Sequence, residues 1–365
     1  MNRRSHFELE VKRPVAVGTG LIALDVVIEA EARRGPWMWT GGTCGNVLTI
    51  LSYLGWQAFP VARLNGDPAS RRVEDDLARW GVRLEFAKTS PGSRTSIVVH
   101  RIAKTATGLP FHRFSWTCPN CGAWLPGYKA VLASAAENVA LQLGTPQIFF
   151  LDRVSRGALL LAKACAEKGA LVFFEPSGFG EPRLFKEALA LAHILKYSHE
   201  RVKAFNSLEN GAGPLVEIET LGAEGLRYRS RIAGARTDGW TRLEAYDIAD
   251  LKDAGGAGDW CTAGIIHVIA QRGLSGVMKT RLPQLADALR FGQALAAWNC
   301  GYDGARGGMY AVGMKTFRLQ VQNIISRDGS KAPKREVPSA VVREAFECVC
   351  PGCASAFSQG RGDRG

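Results

Sequence analysis

The sequence predicts an α/β protein built on a doubly wound, mostly parallel sheet with helices on both faces, followed by a C-terminal extension. Three observations lead there. Between residues 147 and 218, short apolar runs alternate with helical patterns, the sign of strands joined by crossover helices. Glycine clusters at Gly41-Gly42 and at Gly255–Gly258 each precede an apolar helical run. The chain has 365 residues, 46% of them apolar, which is ample for one large core.

The elements follow in order. Val15 to Ile28 reads as a strand, a glycine turn and a second β-rich run. Gly41 to Asn46 opens a helix that Gly55 stops. Pro60 to Arg63 is a short strand before Asn65-Gly66-Asp67, and Arg71 to Trp80 an amphipathic helix closed by Gly81. Thr95 to Arg101 is a strand. Residues 103–127, with Pro110, Pro119 and Pro126, read as irregular. Gln147–Leu151, Ala170–Phe174, Ile194–Tyr197 and Pro214–Ile218 are strands, and Gly157–Lys168 and Arg183–Ala192 are helices. A buried helix follows Asp259. The last fifty or so residues have weak periodicity and end in a Gly/Arg tail, which predicts disorder there. The resulting division is 1–315 for the main domain and 316–365 for the extension.

No apolar stretch reaches the roughly 18–20 residues of a membrane span. MNRRSHFELEVKRP carries no apolar segment behind its basic residues, so no secretory signal is expected. Nine cysteines, several at CxxC spacing, suit a reducing cytoplasm with metal ligation better than a disulfide framework. The net charge of +12 permits an anionic partner without requiring one. The densest basic cluster, Lys331 to Arg335, reads as a solvated segment.

The chemistry concentrates at Asp253-Ala-Gly-Gly-Ala-Gly-Asp259. So many glycines exclude a helix interior. Gly256, Ala257 and Gly258 are expected to turn their N–H groups outward at a helix N-terminus, an anion site. A carboxylate beside such a site repels phosphate unless it has work to do. A general base fits: Asp259 would take the proton of a hydroxyl attacking a phosphorus held by the turn. An ordinary turn with an aspartate cap is the bland alternative.

GAGD, preceded by Asp253 and followed by a small-residue helix, resembles the C-terminal motif of the ribokinase-like (PfkB) carbohydrate and nucleoside kinases. The resemblance runs from about residue 15 to 310 and implies a small β lid over the sugar, including about 95–125, with Asp259 as base and the Gly256-Ala257-Gly258 turn as anion hole. It implies that Asp25 binds substrate hydroxyls and that Gly41, Gly42 and Asn46 form the first glycine motif beside the sugar. Thr43 stands where the family often has lysine. Glu219-Thr-Leu-Gly-Ala-Glu-Gly225 resembles the turn flanking the nucleotide, which implies roles for Thr220, Gly222 and Gly225. Asn299, in ALAAWNCGY, is similarly implied to contact the adenine. In Lys196-Tyr-Ser-His-Glu-Arg201, Ser198 replaces the family's asparagine, leaving Glu200 as the nearby carboxylate for the Mg²⁺ shell.

The family does not explain the cysteines. Cys118-Pro-Asn-Cys121 and Cys350-Pro-Gly-Cys353 are matched knuckles, and together they supply the four thiolates of a closed structural zinc site. Whether they meet within one chain or across a homodimer stays open, and a redox CxxC is the rival. Cys348 is a spare ligand; Cys44, Cys165, Cys261 and Cys300 read as core. The expectation is therefore an ATP- and Mg²⁺-dependent kinase of a sugar or nucleoside, carrying structural Zn²⁺. Its rivals are a non-catalytic binding or scaffold protein on the same fold, and a zinc-dependent nucleic-acid binder. The latter lacks a basic helix or an aromatic-basic strand pattern.

Overall fold

The structure is a computed structural model and describes residues 6–29, 36–90, 92–104, 110–200, 213–248, 250–326 and 349–353. The first half contains β1 (Val15–Thr19), β2 (Ala23–Glu29), β3 (Trp37–Gly41), α1 (Thr43–Tyr53), β4 (Gln57–Leu64), α2 (Pro68–Arg79), β5 (Ala87–Thr89), β6 (Ser96–Lys104), β7 (Pro110–Ser115) and α3 (Ala133–Gln142). There follow β8 (Ile148–Leu151), α4 (Arg156–Glu167), β9 (Leu171–Phe174), α5 (Pro182–Leu191), β10 (Ile194–Ser198), β11 (Val216–Thr220), β12 (Leu226–Ser230) and β13 (Thr241–Leu243). The chain then becomes helical through α6 (Ala257–Ile269), α7 (Gly273–Val277), α8 (Leu282–Cys300), α9 (Gly307–Ala311) and α10 (Met314–Ser326).

Among the described residues, nine strands form one sheet in the order β13-β12-β11-β10-β9-β8-β1-β4-β5. All neighbours from β5 to β11 are parallel, while β12 and β13 run antiparallel at one edge. The central strands are buried on both faces, which is why they read as unbroken apolar runs. Alternate residues serve opposite cores: Ala16, Phe150 and Phe173 face one, and Val17, Phe149 and Phe174 the other. This is the doubly wound sheet expected from the sequence.

A second sheet, β3-β2-β6-β7, forms the lid. Its last strand corrects the sequence reading, which left 103–127 irregular. β7 pairs antiparallel with β6 from Val99↔Ser115 to Lys104↔Pro110. Pro110 is tolerated because it opens an edge strand. The helix α3 also escaped detection: only Ala136 is fully buried along it, so its apolar period is faint. α2 starts at Pro68, three residues before the expected Arg71, because the Asp67 side chain caps it by accepting from the Ser70 N–H at 2.7 Å. The boundary drawn at 315/316 falls inside α10, whose Phe317 and Val321 are buried in the main core. The Gly/Arg tail lies outside the described residues.

Two helices fix the frame for the site. α6 and α8 cross at glycines: a Cβ on Gly264 would lie 2.8 Å from Gly292 Cα, and one on Gly292 would lie 2.5 Å from Cys261 O. That contact holds the N-terminus of α6 in place against the sheet.

Candidate active site and cysteine cluster

Asp259 sits in the first turn of α6. The chain enters that helix through Gly256 at φ 75°, where a Cβ would strike Ala305 O at 2.3 Å. The first helical bond runs from Trp260 N–H to Gly256 O at 2.9 Å. Of the three expected anion-hole donors, Ala257 is spent inside the turn, donating to Ala254 O at 3.2 Å. Among the described residues, the N–H groups of Gly256 and Gly258 have no internal acceptor. The hole is therefore narrower than the sequence suggested.

The residues expected to bind the sugar gather on the side of Asn46 and Asp259. Asn46, in α1, donates its amide N–H to Asp259 Oδ2 at 2.7 Å and accepts from Arg306 Nε at 3.0 Å. Asp25 lies mid-strand in β2, opposite Trp39, and its carboxylate accepts from the Gly42 N–H. A Cβ on Gly41 would lie 1.9 Å from that carboxylate, so only glycine fits. Gly42, at φ 78°, turns the chain into α1. Burial pushes the Asp25 carboxyl up to about 7, against the pull of Arg306. Burial and the nearby Glu175 push Asp259 up to about 8, while Asn46 and Lys196 draw it down.

Two features escaped sequence reading. Arg306 is fully buried and ties the lid base to the core: its guanidinium donates to Thr40 O and to Asp76 Oδ2, and Tyr310 OH donates to Asp76 Oδ1 at 2.8 Å. Its remaining terminal nitrogen, Nη1, is buried without a partner. An arginine inside the glycine run GARGG was the available signal, since a buried guanidinium demands acceptors. The second is Lys196 on β10, which donates to Glu175 and, at 3.2 Å, to Gly258 O. Thr262 holds the other Glu175 oxygen at 2.5 Å. Burial works to lower the lysine's pKa, but Glu175, Cys261 and Asp259 together raise it above its ordinary value.

The nucleotide-side residues divide. Thr220 ends β11, beside Ser198 of β10, and Gly222 (φ 61°) and Gly225 (φ 91°) shape the turn beyond it. All lie at the carboxyl ends of parallel strands, where open α/β sheets bind ligands. Asn299 does not face that turn as a ligand contact. It is fully buried, and its amide donates to the carbonyls of Gly304 at 3.2 Å and Ala305 at 3.1 Å. It clamps the loop that receives Gly256. Glu200 is exposed just past β10.

The four knuckle cysteines meet within one chain. The sulfurs of Cys118, Cys121, Cys350 and Cys353 all lie within 4.8 Å of one another. Cys118 and Cys353 are 3.7 Å apart, as are Cys121 and Cys350. A tetrahedral ion with Zn–S bonds of about 2.3 Å sets its sulfurs roughly 3.8 Å apart. The N–H groups of Asn120 and Cys121 both point at Cys118 Sγ, at 3.4 Å, as they would toward a thiolate. Cys44, Cys165, Cys261 and Cys300 are buried, as expected; Cys348 lies outside the described residues.

A lidded, doubly wound sheet with a buried aspartate at a glycine-lined helix start defines the ribokinase-like class of sugar and nucleoside kinases. The profile of the pfkB family carbohydrate kinases matches residues 25–310, and the chain belongs to that family, whose members are phosphotransferases with a hydroxyl acceptor. Among solved structures it is similar to aminoimidazole riboside kinase from Salmonella enterica, with 18% identity, a TM-score of 0.62, and coverage of 84% of this chain and 99% of that one. Fructokinase from Xylella fastidiosa aligns with 16% identity and a TM-score of 0.64 over 87% and 99% of the two chains. Burkholderia thailandensis nucleoside kinase aligns with 17% identity and a TM-score of 0.61 over 87% and 99%. At these identities the likeness is one of fold. Among curated proteins, a betaine aldehyde dehydrogenase of Cereibacter sphaeroides is 29% identical over 187 residues, covering 49% of this chain. The chain spans only 36% of that relative's length.

Proposed function

We propose that this chain is an ATP-dependent kinase that phosphorylates a hydroxyl of a sugar or of a sugar-bearing molecule such as a nucleoside. The observation that carries the reading is the state of Asp259. Oδ2 is held by Asn46, and among the described residues Oδ1 has no partner and the N–H groups of Gly256 and Gly258, in the same turn, have no acceptor. A base and an anion hole thus share one turn.

Asp25 accepts from substrate hydroxyls, and Asn46 fixes the base relative to them. Asp259 takes the proton of the reacting hydroxyl. Its oxygen forms a bond to the γ-phosphorus as the bond to the ADP oxygen breaks, and charge on the transferred group falls on the Gly256 and Gly258 N–H groups. Lys196 keeps Glu175 neutralised beside them. Thr220, Gly222 and Gly225 would flank the nucleotide. Mg²⁺ takes few protein ligands and supplies charge neutralisation on the phosphates. Because Glu175 is tied to Lys196 and Thr262, the carboxylate open to share such a cation is Glu200.

The cysteine cluster reads as one structural Zn²⁺ per chain, fastening Val349–Cys353 to the lid hairpin. Four thiolates leave no open position, so the ion takes no part in phosphoryl transfer. Unpaired thiols of this kind suit the cytoplasm. No described helix is long and apolar enough to cross a membrane.

A thermal-shift screen of sugars and nucleosides with a non-hydrolysable ATP analogue and Mg²⁺ tests the reading, since a ligand of the native state raises the midpoint. A sugar-dependent rise that Asp25→Ala abolishes supports it. No response to any pair of ligands counts against it.

A further inference from the structure

The four knuckle sulfurs are placed for a second chemistry besides holding an ion. Cys118 and Cys353 lie 3.7 Å apart, and so do Cys121 and Cys350. Both of these pairs join the lid knuckle to the tail knuckle, across 235 and 229 residues of chain. A disulfide sets its sulfurs about 2.05 Å apart, so each pair has roughly 1.7 Å to close.

Access and packing point to the same pairing. Cys121 is exposed, whereas Cys118, Cys350 and Cys353 are buried. Oxidation follows exposure, so an oxidant meets Cys121 first, with the Cys350 thiol beside it. The tail lies directly on the lid turn: a Cβ on Gly352 would stand 2.9 Å from Ala123 Cβ and 3.2 Å from Cys121 Sγ. Cys118, Cys350 and Cys353 belong to the apolar core together with Leu125 and Val349. Thiolates stripped of their ion are costly there, and neutral disulfides are not.

Resting on the zinc reading of the cluster, we propose that the knuckles are a site of reversible oxidation by peroxide, which exchanges the ion for the disulfides Cys118–Cys353 and Cys121–Cys350. The Cys121 thiolate attacks one peroxide oxygen, the O–O bond breaks, and hydroxide leaves, so the sulfur becomes a sulfenic acid. The Cys350 thiolate attacks that sulfur and displaces a second hydroxide as the S–S bond forms. The other pair reacts likewise with a second peroxide, each peroxide taking two electrons from one thiolate pair. With its thiolates consumed, Zn²⁺ leaves as the hydrated ion. A dithiol reductant reverses the change by exchange. Because both bonds bridge lid and tail, the fastening outlasts the ion. Pairing within each knuckle would release the ion and the tail together.

The test adds hydrogen peroxide to the full chain as isolated. A zinc-binding dye follows release of the ion, and non-reducing peptide mass mapping locates the bonds. The expected result is about two peroxides consumed per zinc released, with the two lid–tail cross-linked peptides recovered. Closing such long loops should also speed migration on a non-reducing gel, and dithiothreitol should restore the thiols. Cys350→Ser should keep only the Cys118–Cys353 link, and the Cys350→Ser, Cys353→Ser double variant should lose the mobility shift. Disulfides within a knuckle or to any other cysteine overturn the proposal. So do sulfinic acids without cross-links, and thiols that survive excess peroxide. The same lid–tail links in protein that carries no zinc as isolated would uphold the oxidation site and sink the zinc reading instead.

Discussion

The amide of Asn46 bridges two charged neighbours, donating to Asp259 Oδ2 at 2.7 Å while its oxygen accepts from Arg306 Nε at 3.0 Å. Arg306 can only donate, so the oxygen of Asn46 must face it and the N–H must face the base. One amide thereby couples the lid base, through Arg306 and Thr40, to the catalytic turn.

That coupling makes the pH dependence legible. Asp259 must be ionised to accept a proton, and its carboxyl is pushed up to about 8, chiefly by burial. kcat/KM should therefore rise with pH through about 8. Asn46→Ala removes a hydrogen bond that favours the ionised form, so the inflection should move to higher pH. A rate profile flat between pH 6 and 9 would contradict this assignment.

The same burial shapes stability. Asp25 and Asp152 are raised to about 7 and Asp259 to about 8, from 3.8. Between pH 4 and these values the folded chain holds protons that the unfolded chain has released. Their contribution to stability is thus full below about 4 and is lost as pH rises through 7–8. Asp259→Asn removes one such group. Its Tm should exceed that of wild type at pH 8, by roughly 1–2 °C per kcal/mol relieved, and the gap should close near pH 4. Calorimetry across that range reads it; a lower Tm for the variant at pH 8 would refute it.

Arg306 should be indispensable to the architecture. Truncation to methionine leaves Asp76 and Asn46 without a buried charged donor, a loss on the order of 3–5 kcal/mol. Arg306→Lys keeps the charge but cannot serve Asn46, Thr40 and Asp76 together. Its kcat should fall roughly tenfold or more, with a shifted pH profile, and denaturant melts separate that effect from unfolding.

Much of this was readable from the sequence where residue type and position are tied together by local physics. GAGD had to be a turn at a helix start, and the two matched CxxC knuckles, expected to share one site, do meet in space. The parallel strands announced themselves as unbroken apolar runs. What failed was what depends on distant partners. β7 is an edge strand whose pairing with β6 supplies the order that its own sequence does not. Asn299 sits in a helix expected to line the nucleotide, yet its amide is consumed by Gly304 and Ala305. The Arg306 and Lys196 networks join residues separated in the chain, so GARGG could flag Arg306 but no local pattern names the partners of either.

Zinc should be present at about one equivalent per chain. Cys350→Ser with Cys353→Ser should abolish it, because all four sulfurs share one site. Chelation should loosen the lid, raising KM more than it lowers kcat. Elemental analysis decides the point: zinc well under half an equivalent, or undiminished in the double variant, contradicts a shared ion.

The most direct test of the central claim is phosphoryl transfer from ATP to an acceptor that the binding screens identify, compared between wild type and Asp259→Asn. The variant keeps the shape of the side chain and removes the proton acceptor. The account predicts that kcat drops by about 10²–10⁴ while nucleotide affinity holds. Transfer by the variant at the wild-type rate would show that Asp259 is not the base.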